Sequence, residues 1–411
     1  MRVMKSSTEM VRQQNSGLVL SALRRFGALS HTDMADHTHL SSATVSAITT
    51  ELDRAGIIER MEQQAATGRG RPRVLFRPSR GCGYLILVRI SSDVVQYSLV
   101  DYAGTLMDRF DEARGASATD VTVFSRGMLE ALDRLIGRSS ISRDAVLAIS
   151  ISSKGLVDTA YQRLVWSPVF GDQEIDFQWL LRDWSARIIL NNETRLTAQA
   201  VARCLEKKQD LKQSLAVLSL GHSIGLGIVQ RSSVGALEVT APNFGHMLHV
   251  ANGGLCRCGA RGCIEASTGF YGILRTAFEV PADTIPAKFV PLAEMDRIAM
   301  SARQGKRMAT YAFRQAGLAL GQGISRVLSL HETMPVVLTG PGTRYYDLLQ
   351  AGMVEGLAQS QPVRREGMPD ISLMDDEAGL VFEGHKQRAF DDVDQDILTL
   401  RPSASAAMKA G

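Results

Sequence analysis

Residues 246–266 read HMLHVANGGLCRCGARGCIEA, and three of the chain's five cysteines, Cys256, Cys258 and Cys263, fall within eight positions of that stretch. An odd number of cysteines with three clustered does not describe a disulfide framework. In a reducing compartment such a cluster binds metal. Cys256 and Cys258 flank a single residue, and Gly259 and Gly262 let the loop double back to bring Cys263 in. One imidazole added to three thiolates makes a tetrahedral set for Zn²⁺ with no open position, the mark of a structural ion, one per chain. His246 and His249 both stand close enough in sequence to supply it. Cys82 and Cys204 are isolated and read as ordinary buried or half-buried residues.

A second chemistry sits at the amino end. Residues 1–80 carry twelve Lys/Arg against seven Asp/Glu, a balance of +5, while the whole chain carries +3. Basicity confined to one end points to a nucleic-acid partner for that end. In SGLVLSALRRF, Leu18, Ala22, Leu23 and Phe26 recur at helical spacing, and Gly27 stops the helix. Ser30 caps a short second helix, HTDMADHT, and a turn at His39 and Leu40 follows. SSATVSAITTELDRAG makes a third helix with Ser41 or Ser42 as N-cap and Gly56 as its stop. Val45, Ile48 and Leu52 form its apolar stripe, and Ala43, Ser46, Ala47, Thr50 and Arg54 form the opposite face. That order is the helix-turn-helix plan, in which the last helix enters the major groove.

GIIERME and RVLFRP then read as two strands joined by a wing, QQAATGRGRP. From residue 63 to 80 there are five arginines, Arg69, Arg71, Arg73, Arg77 and Arg80, and no acid. The expected DNA contacts are Ser41, Ser42, Ala43, Thr44, Ser46, Ala47, Thr50 and Arg54 from the third helix, with Arg69, Arg71 and Arg73 from the wing. The small, nearly uncharged face predicts contact with thymine methyls, Ser42 and Thr44 anchor phosphates, and Arg69 and Arg71 sense minor-groove width. The partner is thus a double-stranded operator. Two recognition helices must span half-sites about one turn apart, so a homodimer is expected, with further pairing into a tetramer left open.

These groups need a scaffold. From about Gly83 the pattern becomes α/β. YLILVRI, VVQYSLVD and LMDRF read as strands, residues 119–137 as a helix, and VLAISIS as a buried strand. A second unit starts near Leu215 with LAVLSLGHSIGLGIVQ, and a helix over about 304–330 precedes the strand PVVLTGPG. Two similar halves imply a cleft between lobes, where small ligands bind. The expected division is 1–80 for the winged helix-turn-helix, 81–395 for a ligand-binding and dimerisation domain with the metal loop, and 396–411 for a flexible tail. No run of about 18 apolar residues exists, which excludes a membrane-spanning helix. The start, MRVMKSSTEMVRQQ, lacks the apolar stretch of a secretory signal, so the expected location is cytoplasmic.

The order of winged helix-turn-helix, strand hairpin, NNETRLTA, FGHM, CRCGARGCIEA and LTGPG resembles the ROK family (repressor, open reading frame, kinase), in particular its repressor branch. The likeness spans almost the whole chain. Its most specific part is GH-x9-C-x-C-G-x2-G-C-x-E, from Gly245 to Glu265. The resemblance implies a two-lobed, actin-like and ribonuclease-H-like body of the sugar-kinase type. It also implies that the zinc ligands are His246, Cys256, Cys258 and Cys263. His246 would then face a sugar as well, Glu265 would accept sugar hydroxyls, and Asn191, Asn192 and Glu193 would complete an effector site. A purely structural alternative for Glu265 is a helix N-terminal carboxylate favoured by the dipole.

Departures from the kinase pattern decide the chemistry. A carboxylate survives at the base position as Glu193, one methylene longer than the family's aspartate. The family's first phosphate loop, Asp-x-Gly-Gly-Thr, corresponds to Arg89-Ile90-Ser91-Ser92-Asp93, and His222 and Ser223 stand where the second has Thr-Gly. An arginine in place of the magnesium-handling acid opposes the metal, so no catalytic residue is expected. Sugar contacts change too: Asn243, Val169 and Lys154 replace a glutamate, an asparagine and a proline. The resulting expectation is a DNA-binding regulator, normally a repressor, tuned by a sugar-like ligand or a protein partner. A sugar kinase with an appended DNA-binding domain is the alternative; a zinc sensor is a third reading.

Overall fold

The computed structural model describes residues 7–62, 74–114, 120–208, 211, 213–232 and 236–400. The amino-terminal module comprises α1 (Ser7–Phe26), α2 (His31–Thr38), α3 (Ser42–Arg54), β1 (Ile58–Glu62) and β2 (Val74–Pro78). Side-chain caps set its corners. Ser30 and Asp33 form a reciprocal capping box at the start of α2, and Ser41 rather than Ser42 caps α3, accepting from the Thr44 amide at 3.1 Å. Val45, Ile48 and Leu52 are buried as the stripe requires. Strands β1 and β2 pair antiparallel from Ile58↔Pro78 to Glu62↔Val74. A two-way bridge between Leu29 and Phe76 ties the entry to α2 onto the same hairpin.

The first lobe runs β3 (Tyr84–Ile90), β4 (Val94–Asp101), β5 (Leu106–Ala113), α4 (Val121–Arg138), β6 (Val146–Ser153), β7 (Leu156–Asp158), β8 (Arg163–Trp166), β9 (Ile175–Asp176), α5 (Phe177–Leu180), β10 (Arg187–Asn192) and α6 (Glu193–Lys207). The second runs β11 (Ser214–Ser219), β12 (Gly225–Arg231), β13 (Leu237–Thr240), α7 (Ile264–Thr268), α8 (Phe270–Ala277), α9 (Leu292–Arg303), α10 (Arg307–Leu330), β14 (Val336–Thr339), α11 (Tyr346–Ala358), α12 (Gln361–Glu366), β15 (Ile371–Met374) and α13 (Glu377–Leu400). The main sheets are ordered β5-β4-β3-β6-β10 and β13-β12-β11-β14-β15. In each, an antiparallel meander is followed by two parallel strands, so the halves repeat one topology. β6 is buried along its whole length, as a parallel strand covered on both faces must be.

The boundary expected at residue 80 does not divide the packing. Leu20 and Leu23 of α1 share one apolar cluster with Leu85, Val100, Tyr102, Phe390 and Val393. The tail expected from 396 is corrected at its start: α13 continues to Leu400 because Ile397 is buried in that cluster. Residues 401–411 lie outside the described residues. Among the described residues no helix is long and apolar enough to cross a membrane.

Candidate functional site

On α3 the structure exposes Ala43, Ser46, Ala47 and Arg54, half-exposes Thr44 and Thr50, and leaves Ser41 and Ser42 exposed at the cap. The Thr50 hydroxyl donates back to the Ser46 carbonyl at 2.7 Å, so it meets a partner as an acceptor. Buried Thr49, on the inner face, takes the His31 ring nitrogen at 2.8 Å and locks α2 against α3. The result is one continuous, small-residue ridge on a helix held by apolar packing behind it. Arg69, Arg71 and Arg73 of the expected wing lie outside the described residues. Arg77 and Arg80 are spent on Glu59 and Asp101, at 2.6 and 2.7 Å.

The cysteine loop closes as its spacing demands. Ligand atoms of His246, Cys256, Cys258 and Cys263 all lie within 4.8 Å of one another. Cys258 Sγ and Cys263 Sγ are 3.7 Å apart, and Cys256 Sγ is 3.4 Å from His246 Nδ1. A tetrahedron with metal–sulfur bonds of about 2.3 Å has edges of about 3.8 Å, whereas a disulfide needs about 2.05 Å. The four residues therefore fit a zinc ion, through Nδ1 of the histidine. Gly262 makes the closure possible: at φ +74° it lies so near the chain that a Cβ would stand 1.7 Å from the Val250 carbonyl. His249 turns to Arg326 instead, 3.4 Å away. Burial, with Cys256 and Cys258 alongside, pushes the Cys263 thiol well above its usual range, so ionising that sulfur calls for a bound cation. Burial disfavours a charge on His246, yet its bond to Cys256 and the nearby Glu265 raise its pKa overall. Tyr271, which sequence reading missed, donates to Cys256 Sγ at 3.3 Å.

Arg257 and Arg261, within the same loop, are committed to carboxylates. Arg261 pairs with Asp283. Arg257 is buried over the Tyr271 ring and reaches Glu265 and the Ser223 hydroxyl, each at 3.4 Å. Glu265 lies in the first turn of α7, fully buried, and its other oxygen accepts from the Ile224 amide at 3.1 Å. Its partners in this structure are therefore all internal ones.

The rest of the expected effector set gathers where β10 passes into α6. The Asn192 side chain caps α6 through the Arg195 amide at 3.2 Å and donates to the Gly155 carbonyl at 2.9 Å. Asn191 is buried and donates to Ser150 at 3.1 Å. Glu193 is buried and takes both Nε and Nη2 of Arg89 at 3.0 Å, with Lys154 at 3.7 Å. Although burial opposes its charge, Arg89 and Lys154 hold the Glu193 carboxyl down at about 2. A carboxylate so stabilised is a poor proton acceptor for a hydroxyl. Glu377, at the start of α13, also lies 3.7 Å from Lys154 and 3.9 Å from Arg89, and it accepts from Ser219 of the second lobe. His222 packs between Phe270 and Phe289, with ring centroids 5.0 and 4.6 Å away, filling the loop that would hold phosphate in a kinase. Trp166 of β8 meets the His246 ring edge-on at 5.0 Å. Sequence reading passed over Trp166, Glu377 and His385; the available signal for His385 was a lone titratable ring within a helical apolar pattern.

Comparison with known proteins agrees with this arrangement. The ROK family model matches residues 88–379, well over half of the chain, and the MarR family model matches residues 13–64. The chain is 22% identical over 329 residues to the xylose repressor of Bacillus spizizenii, covering 80% of this chain and 82% of that protein. It is 22% identical over 338 residues to the DNA-binding transcriptional dual regulator NagC of Escherichia coli, covering 81% and 82%. Among solved structures, a ROK family transcriptional regulator described as a homologue of E. coli MLC superposes with a TM-score of 0.72 at 20% identity, covering 95% of this chain and 99% of that one. A ROK family glucokinase from Streptomyces griseus superposes with a TM-score of 0.51 at 19% identity, covering 74% and 98%, which bears out the sugar-kinase type of the body. With a MarR-type winged helix-turn-helix ahead of a duplicated kinase-type body that carries the cysteine loop, the chain belongs to the ROK family.

Proposed function

We propose that this protein is a DNA-binding transcriptional regulator, a repressor in its resting state, whose two-lobed body senses a sugar or sugar-like ligand. One observation carries the reading: a module that presents a helix with an open ridge is packed, through α1, onto a kinase-type body whose base carboxylate is ion-paired to an arginine. Relatives named as repressors support it. The protein acts as a homodimer, because paired half-sites demand two helices, and it works in the cytoplasm on a double-stranded operator. A structural zinc held by His246, Cys256, Cys258 and Cys263 fixes the loop beside the ligand cleft and leaves Nε2 of His246 as a group of defined tautomer.

Asn191, Asn192, Glu193, His246 and Glu265 form the polar wall of that cleft. Glu193 and Glu265 already hold cations, so a ligand engages them by sharing or displacing Lys154 and Arg257. Binding changes operator affinity only to the extent that the ligand prefers one arrangement of the lobes. The test is selection of duplexes bound by the zinc-loaded protein, followed by a sugar-library screen for release. Failure to enrich any sequence sinks the regulator reading. ATP-dependent phosphorylation of a sugar at enzyme-like turnover would support the alternative, a kinase with a DNA-binding appendage.

A further inference from the structure

Helix α13 reaches from the ion cluster around Glu193 to the amino-terminal module. At its first turn Glu377 joins Arg89 and Lys154 of the first lobe to Ser219 of the second. Eight residues on, His385 is buried between two hydroxyls of β6, with Nδ1 2.9 Å from Ser150 and Nε2 2.6 Å from Ser152. Ser150 in turn receives Asn191 of the cleft wall. At Gly384 the backbone of α13 lies against α6 so closely that a Cβ would stand 2.4 Å from the Leu196 carbonyl.

At its far end α13 grips the DNA-binding module. Arg24 of α1 donates Nε and Nη2 to Asp394 at 2.5 and 2.9 Å, and Nη1 to the Tyr102 carbonyl at 2.9 Å. The Tyr102 hydroxyl closes the ring onto Asp394 at 2.6 Å, and the guanidinium lies 3.5 Å above Phe390. A planar fork with every nitrogen engaged fixes direction as well as distance. Glu377 and Asp394 are 17 residues apart on one helix, about 26 Å along its axis at 1.5 Å per residue.

We propose that α13 is the lever between cleft and operator, and that Asp394 is its positioning residue: through Arg24 it sets the angle at which α1, and with it α3, is presented to DNA. Close-packed interiors do not absorb such displacements; they pass them on to the next rigid element. Rearrangement of the ion cluster around Glu377 therefore moves the clasp at Arg24. The inference rests on the regulator reading for its operator readout, but not for its mechanical one.

The experiment is a double-mutant cycle on the full, zinc-loaded chain. Glu377→Gln disturbs the cleft end, and Asp394→Asn removes the charge at the clasp while keeping its shape. Arg24→Lys serves in its place where Asp394→Asn does not fold. Hydrogen exchange at α1 amides and affinity for the selected operator are both read. Glu377→Gln alone should deprotect α1 and shift operator affinity by about tenfold, and in the clasp variant both effects should shrink to within about twofold. An α1 exchange pattern unmoved by Glu377→Gln, or equal shifts in both backgrounds, overturns the lever. Coupled exchange without any selectable operator would uphold the lever and sink the DNA reading instead.

Discussion

Arg89 holds both carboxylate oxygens of Glu193 at 3.0 Å, a side-on fork clamped inside a site where the glutamate is buried. The guanidinium thus engages both oxygens through which this carboxylate could accept a proton. Charge in this cluster is balanced internally, by Arg89 and Lys154 against Glu193 and Glu377.

Replacing Arg89 by alanine should cost about 3–5 kcal/mol, because it leaves a buried carboxylate with only Lys154 nearby. Adding Glu193→Gln to that variant should recover part of the loss. Urea unfolding of the two variants and the parent measures this. A loss below about 1 kcal/mol, typical of exposed pairs, would show that the clamp is not buried as described.

The purified protein should carry about one zinc per chain, and Cys263→Ser should lose it with a lowered Tm. Gly262→Ala should do the same without touching a ligand, since the Val250 carbonyl leaves no room for a methyl group. Metal analysis beside thermal unfolding checks both. Full metal content in Gly262→Ala would contradict the loop geometry.

Acid should weaken the fold before the carboxylates titrate. Burial between Ser150 and Ser152 lowers the His385 pKa to about 3, and burial lowers that of His222 to a similar value. An unfolded histidine titrates near about 6.5, so below that pH the unfolded chain takes up protons that the native state refuses. Stability is full above about pH 6.5 and falls with decreasing pH, by up to about 1.4 kcal/mol per unit for His385. Denaturation at several pH values between 7.5 and 5 should show a shallower slope in His385→Gln. Equal slopes would mean that the ring is protonated in place.

On the DNA side, Ala47→Glu should abolish operator binding at unchanged stability, because Ala47 is exposed on α3. Arg71→Ala should lower the slope of log K against log salt by about 0.9, the value for one phosphate contact. Anisotropy titrations across a salt series test both. A slope that does not move would remove the wing from the interface.

Much of this architecture could be read in advance wherever local chemistry decides it. Gly27 marked the end of α1 and Ser30 the start of α2, because left-handed turns and caps are local demands. The meeting of His246, Cys256, Cys258 and Cys263 was legible because their spacing repeats a family pattern and Gly262 has a steric purpose. Three things were not legible. Arg257 sits between two ligands, and only the fold turns it toward Glu265. The Leu29–Phe76 bridge joins residues too far apart for any periodicity to pair them. The Arg24–Asp394 clasp joins opposite ends of the chain, and nothing in either neighbourhood announces its partner.

Because Leu20 and Leu23 are packed against Phe390 and Val393, the reader of DNA is not a detachable head. An excised fragment ending at residue 80 would bare that apolar seam to water and stick to itself. A chimera that borrows the head for another body would need the closing turns of the last helix grafted along with it. Any exchange of such a module would therefore have to change α1 and the closing turns of α13 together.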